Sequence, residues 1–416
     1  MKGLLVSLFV VMTASFFWTD PALCQDMSNE EIIQELRALK ERIDVLEQEL
    51  TKKDREIDRL KAETLKRQEM HHVIDEMKSE GGPLEALKDR VRIGGLIELG
   101  GAWEGVNNRD GTDADQSDIN LTTVALAVEA DINEWVSAEA TLLYEDPTFG
   151  IDTSVELDTG IVVIGNAERF PFYFTGGKMY VPFGALLTHF PDDPLIDQPL
   201  ALLLGETNEA AALVGVEHRG FSVSGYVFNG DMIETGKDNE MDSFGIDGHY
   251  EWSGEKGLEL LIGASYISNI ADSDGLTALL LISGVDSIRD HVGGFDAYVH
   301  IGYAGWFFDA EYMSATENFQ ANELATETGA GAKPAVWNLE AGYNWNWGKN
   351  LEIGLKYAGS DETENLGFPE DRYGLVLNQT IFESVIASLA FLHDEFHRSD
   401  SRDDRNVLFG QIALVF

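Results

Sequence analysis

The chain has 416 residues with 73 acidic against 29 basic side chains, a formal charge of −44, yet 44% of its residues are hydrophobic and 10% aromatic. So acidic a surface argues against nucleic acid as a partner, and a single cysteine, Cys24, excludes internal disulfides and thiolate metal sites. The apolar share fits either a large soluble β protein or a barrel whose two faces differ, so periodicity has to separate them.

Residues 1–24 read as a secretory signal peptide, with Lys2 ahead of the apolar GLLVSLFVVM and a small-residue cleavage site at Ala22 to Gln25. Ser7, Thr13, Ser15, Thr19 and Asp20 break the apolar run before it reaches the roughly 20 residues of a spanning helix. From 28 to 78 a helical coiled coil is expected. Leu36, Ile43, Leu50 and Ile57 form one seam row and Ile32, Leu39, Leu46 and Leu60 the other, at alternating spacings of four and three. A seam this narrow cannot bury itself, so the segment predicts a homo-oligomer of two or three strands, a trimer included. Glu80 to Pro83, EGGP, marks a hinge at 79–90.

From Val91 to Phe416 the period changes to two. In VWNLEAGYNWNW, Trp337, Leu339, Ala341, Tyr343 and Trp345 alternate with polar or small residues, and LEIGLKY repeats the pattern after a tight turn. Short connections recur at 132–135, 166–170, 217–221, 252–257, 303–306, 346–350 and 382–384. Long acid-rich ones fall between them, among them VNNRDGTDADQSD, NGDMIETGKDNEMD and HRSDSRDDRN. Short turns on one edge and long loops on the other predict an all-β transmembrane barrel of about 16 antiparallel strands. Trp103, Trp135, Tyr144, Trp252, Trp306, Tyr312 and Trp345 near strand ends suit interfacial girdles. The closing GQIALVF puts Leu408, Ile412, Leu414 and Phe416 on one outward row, and the terminal aromatic resembles the signal read by the barrel assembly machinery.

If apolar rows face lipid, their alternates line the lumen: Glu98, Glu129, Glu139, Glu217, Asp247, Glu259, Asp296, Asp309, Glu311, Glu340 and Glu352, with Lys356 and Arg92 among few cations. Acid rings of one sign favour cations. The connection from Val181 to Asn208 carries several prolines and an apolar run, unlike a solvated loop. Folded inward it narrows the pore, with His189, Asp192, Asp193, Asp197 and Glu206 as constriction residues; folded outward it latches neighbouring barrels.

Signatures of catalysis are missing. No phosphate loop or Ser/His/Asp pattern occurs, and His393 with His397 in HDEFH lacks the glutamate placement of a zinc protease. DADQSD has neither the glycine nor the distal glutamate of a calcium loop. No enzyme and no resident cofactor are expected; acidic outer loops would gather divalent cations that bridge to lipopolysaccharide.

The signal, coiled coil, hinge and barrel, opening on VRIGGLIELGGAWE and containing the stretch from Gly177 to Asp231, resemble the LbtU family of siderophore porins. The resemblance implies an outer-membrane barrel, its coiled coil in the periplasm, that imports a ferric siderophore without a plug domain or energised coupling. The barrel segment is too short for the 22 strands of the larger receptors. Carboxylate siderophores are commonly anionic, so against an acidic wall either the cargo is neutral or cationic or local bases such as Lys178, Arg219 and Arg372 dominate. Two alternatives stand beside it: a general cation-preferring porin, and a structural anchor whose rod tethers the outer membrane to the periplasm.

Overall fold

The computed structural model describes residues 90–146, 154–186, 197–237, 241–254, 257–346, 350–382 and 384–416. The expected signal peptide, coiled coil and hinge as far as 89 lie outside the described residues, as do His189, Asp192 and Asp193.

The first half of the barrel comprises β1 (Val91–Asn108), β2 (Asp113–Asn133), β3 (Val136–Glu145), β4 (Ser154–Asn166), β5 (Phe170–Tyr180), β6 (Asn208–His218), β7 (Phe221–Phe228) and β9 (Ser243–Ser253). The second half comprises β10 (Glu259–Ile267), β12 (Gly294–Tyr303), β13 (Trp306–Ala315), β14 (Ala335–Asn346), β15 (Asn350–Asp361), β16 (Pro369–Phe382), β17 (Val385–Phe396) and β18 (Arg402–Val415). These 16 strands pair in chain order, all antiparallel, and β1 closes the barrel on β18. A parallel pair, β8 (Ile233–Glu234) and β11 (Ser287–Ile288), and two helices, α1 (Leu200–Gly205) and α2 (Asp274–Ile282), lie in the long connections.

Alternation fixes which side chain meets which medium, because successive residues of a strand point to opposite faces. On β14 and β15 the partners Glu340 and Lys356 are buried, while their neighbours Leu339 and Leu355 are exposed. Repeated around the wall, this leaves a belt of exposed Leu, Ile, Val, Phe and Trp far larger than the apolar patch a soluble monomer tolerates. The closed barrel leaves no edge strand, as hydrocarbon surroundings require. Outward aromatics stack near the short turns: Phe221 lies 4.4 Å from Tyr250, and Tyr343 lies 4.9 Å from Trp306 and 4.6 Å from Trp345.

All seven expected short connections join barrel strands. Two of them, Arg219–Gly220 and Ala304–Gly305, have positive φ at both residues (53° and 84°; 52° and 89°), the conformation whose twist matches the flanking strands. Two long loops need correction. VNNRDGTDADQSD belongs mostly to β1 and β2, which run on together and turn at 109–112, and HRSDSRDDRN turns at 397–401 before β18 begins. Polar composition imitates a loop here, but cross-strand contacts such as Asn107 to Asp404 (2.9 Å) and Gln116 to Glu104 (2.9 Å) hold the extensions as strand.

Described parts of the β5–β6, β10–β12 and β13–β14 connections turn inward and build a common apolar core. Val181, Phe183, Leu200 and Leu204 pack with Ile270, Leu276, Leu280, Ile288 and Val292 of the β10–β12 connection and with Phe319 and Leu324 of the β13–β14 connection. Ile267, Met313 and Val336 of the wall complete it. On the long-loop side the interior is packed like a small globular domain.

Candidate functional site

The connection from 181 to 207 leaves β5 and rejoins the wall at β6, yet its described parts contact strands nearly opposite. Gly184 N–H donates to Ser265 Oγ on β10 (2.9 Å) and Ala185 N–H to Glu311 Oε1 on β13 (2.7 Å). The helix α1 packs on α2 and against β13, β14 and β15. Its C-terminal end is tied to the start of α2: Asp274 N–H donates to the Glu206 carbonyl (2.8 Å) and Ser273 Oγ–H to the Leu204 carbonyl (2.8 Å).

Asp197 is where this connection meets the charge of the wall. Its carboxylate lies 3.2 Å from Lys356 Nζ on β15 and 3.0 Å from Arg372 Nη1 on β16. Lys356 also pairs with Glu340 (3.2 Å), and Arg372 grips Asp394 on β17 through Nε (2.7 Å) and Nη2 (3.2 Å). Arg405 on β18 continues the chain, 2.9 Å from Asp394 and 3.4 Å from Glu104 on β1. The side chains of Lys356 and Asp394 are 0% exposed, so neither charge could persist there without these partners.

Below this lattice, on the short-turn side, a cavity of about 870 Å³ is lined by Glu259, Tyr298, His300, Asp309, Glu311 and Glu352, among others. His300 Nδ1 lies 2.6 Å from Asp309, and Glu352 accepts from the amides of Asn378 (2.9 Å) and Asn344 (3.4 Å). Five acids expected to line the lumen, Glu259, Asp309, Glu311, Glu340 and Glu352, thus lie in or beside one space.

The other expected residues are spread around the wall. Glu98 and Asp296 are fully buried, and Asp247 is bonded to His249 Nδ1 (2.9 Å). Glu129 faces Glu139 across the β2–β3 ladder and is held by Arg92 (2.9 Å), while Glu217 is exposed beside the β6–β7 turn. Glu206 ends α1, half-buried near Asp158, Glu145 and Asp274, and this burial with three like charges pushes its carboxyl up to about 7. Phe416 exchanges backbone hydrogen bonds with Gly95 (2.9 and 3.0 Å), and its ring covers that glycine, whose Cβ would fall 2.5 Å from it.

Sequence reasoning missed Glu104, Asp394 and Arg405. Arg405 and Glu104 stand in or beside polar runs whose composition imitates a loop, and Asp394 sits inside HDEFH, between two histidines of metal-ligand type. Period-two counting from Ala102, Leu392 and Val407, all buried, places all three on the inner face.

No family model matches the chain. It is 29% identical over 332 residues to a UPF0422 protein of Coxiella burnetii, a match covering 78% of this chain and 68% of the relative. A UPF0422 protein of Legionella pneumophila (strain Lens) is 26% identical over 325 residues, 72% of this chain and 59% of that protein, so the chain spans little more than half of the Legionella relatives. Among solved structures, an anion-selective porin from Comamonas acidovorans superposes with a TM-score of 0.54 at 11% identity, over 78% of this chain and 99% of the porin. Pseudomonas putida OprB superposes with 0.50 at 13% identity, over 81% of this chain and 97% of OprB. The fold is that of an outer-membrane porin-type barrel.

Proposed function

We propose that the protein is an outer-membrane channel for a small hydrophilic solute, with the short turns in the periplasm, the long connections outside and the exposed apolar belt in lipid. The observation that carries this reading is the carboxylate-lined cavity at the short-turn end, roofed by a connection that crosses the lumen. A barrel of 16 strands is wide enough to conduct, and an inserted segment narrows it to a size that can select. Asp197 and Glu206 would act at that constriction, and the cavity acids would hold a cation-rich vestibule.

The likeness to siderophore porins makes a ferric siderophore the cargo of choice, entering without energy coupling. An anionic complex would be repelled by most of the wall, and Lys356, Arg372 and Arg405 are already paired with Asp197, Glu340, Asp394 and Glu104, so the complex this wall admits is a neutral or cationic one. Single-channel recording of the purified protein in a planar bilayer under a salt gradient, with ferric siderophore titrated in, tests both levels. A cation-preferring current that the siderophore blocks supports the full reading, and current without block leaves a general porin. The packed core on the long-loop side favours a second reading, a closed barrel that anchors a periplasmic coiled coil. The absence of any current from correctly inserted barrels would establish the anchor and refute the channel.

A further inference from the structure

Away from the lumen lattice, three ligand-type side chains from separate segments converge among the long connections. The donor atoms of Glu234 on β8, Asp242 just before β9 and His291 between β11 and β12 all lie within 4.8 Å of one another. We propose that Glu234, Asp242 and His291 form a binding site for a divalent transition-metal ion, with zinc its natural size and charge, that braces the β7–β9 connection to the β10–β12 connection.

The donor set selects the class of ion. Imidazole nitrogen with two carboxylate oxygens suits zinc and its neighbours, whereas calcium and magnesium prefer oxygen alone. Three protein ligands leave a position for water, so the site needs no fourth residue. Donors in tetrahedral zinc sites sit about 3.3–3.6 Å apart, a spacing that follows from bonds of about 2.0–2.2 Å. The observed cluster therefore needs only a small closing movement. The imidazole of His291 is largely shielded, with side-chain exposure of 18%, and its nearest charged partner among the described residues is Asp242 at 3.9 Å, too long for a hydrogen bond. A shielded ring facing two carboxylates without bonding either is poised for a shared ion.

The scaffold fixes all three donors from behind. One buried turn, Asn269 to Asp272, hydrogen-bonds beside each of them. Asp272 accepts from Met232 N–H (3.1 Å), two residues before Glu234, and from Ser243 Oγ–H (2.7 Å), next to Asp242. Asn269 Oδ1 accepts from Val292 N–H (3.3 Å), next to His291. The β8–β11 pairing adds a bond from Thr235 N–H to the Ile288 carbonyl (2.6 Å). Support of this kind orients ligands and raises affinity. Lys237, paired with Glu234 at 2.5 Å, is the competitor that the ion must displace.

The test is calorimetric titration of zinc chloride into the full-length protein in detergent, stripped with chelator and held in millimolar magnesium to mask diffuse acidic sites. One zinc per barrel is expected. His291→Ala should weaken it about tenfold or more, with folding checked by the heat-dependent shift of the barrel band in gel electrophoresis. Lys237→Met, at a half-exposed position outside the packed core, should bind zinc several times more tightly because Glu234 is freed. Zinc uptake that is unsaturable, or unchanged in His291→Ala, overturns the site. Unchanged or weaker binding by Lys237→Met does so independently, whatever the fate of the histidine variant.

Discussion

Asp197 has no counterpart among the other described residues of its connection, since its single carboxylate answers two buried cations from neighbouring strands. Taking one member from a buried ionic group costs about 3–5 kcal/mol, because the partners stay desolvated. Lys356 keeps Glu340 and Arg372 keeps Asp394, so the loss in Asp197→Asn falls on the docking of the connection and not on the wall. The docked-to-free ratio should drop by about a hundredfold on the lower of those costs. Single-channel conductance is expected to rise and to fluctuate, and limited proteolysis should cut within 181–207. Unaltered conductance and protection in a folded variant would show that the apolar contacts of Val181, Phe183 and Leu204 hold the segment by themselves.

The docking of α1 on α2 is an element-scale contact with a built-in dependence on pH. Glu206 has its carboxyl pushed up to about 7 by burial and by Asp274, Glu145 and Asp158. A carboxylic acid whose folded pKa exceeds its unfolded value of about 4.5 binds more protons when docked, so its contribution is complete below about 4.5 and is lost as pH rises through 7. Protection of the 181–207 connection should therefore weaken between about pH 5 and pH 8, and Glu206→Gln should make that slope shallower, leaving the share of Asp274 at the start of α2, whose carboxyl burial pushes up to about 6. A wild-type profile that is flat or rises would refute it, and can be read from proteolysis rates with the barrel intact. Elements of this sort were the least legible part of the sequence. The strands show because alternation follows directly from a wall between two media, and the short turns show because brief polar or glycine-bearing breaks interrupt that alternation. Helix α2 and the β8–β11 pair announce themselves by no period: nine residues of DGLTALLLI read as a strand or a loop until the long-range packing of Leu276 and Leu280 on α1 and the wall decides.

At the scale of the molecule, the fold was readable and the interior only in part, for a physical reason. Period two says which face a residue takes, but the lumen of a barrel is filled by segments that obey no period, so inward-facing acids could be enumerated while their partners could not. Lys356, one of few cations on an acid wall by sequence, is one member of a lattice whose other bases, Arg372 and Arg405, offset much of the charge around Asp197 and Asp394. The net field should thus be concentrated in the vestibule, where Glu259, Asp309 and Glu352 have histidine and amide neighbours and no paired lysine or arginine among the described residues. Neutralising these three as Glu259→Gln, Asp309→Asn and Glu352→Gln keeps their shape, with an acceptor oxygen left for His300 at 309 and for one of the two asparagine amides at 352, and removes three carboxylates. The reversal potential across a salt gradient should move from cation preference toward zero, whereas Glu98→Gln, buried elsewhere on the wall, should leave it nearly in place. Screening sharpens the comparison, because the Debye length falls from about 10 Å at 0.1 M salt to about 3 Å at 1 M, below the width of the cavity. The difference between wild type and triple variant should be large in dilute salt and vanish in concentrated salt. A selectivity that survives 1 M salt would locate the filter in the lattice around Asp197, and one that follows Glu98 would place it on that side of β1; either outcome refutes the vestibule.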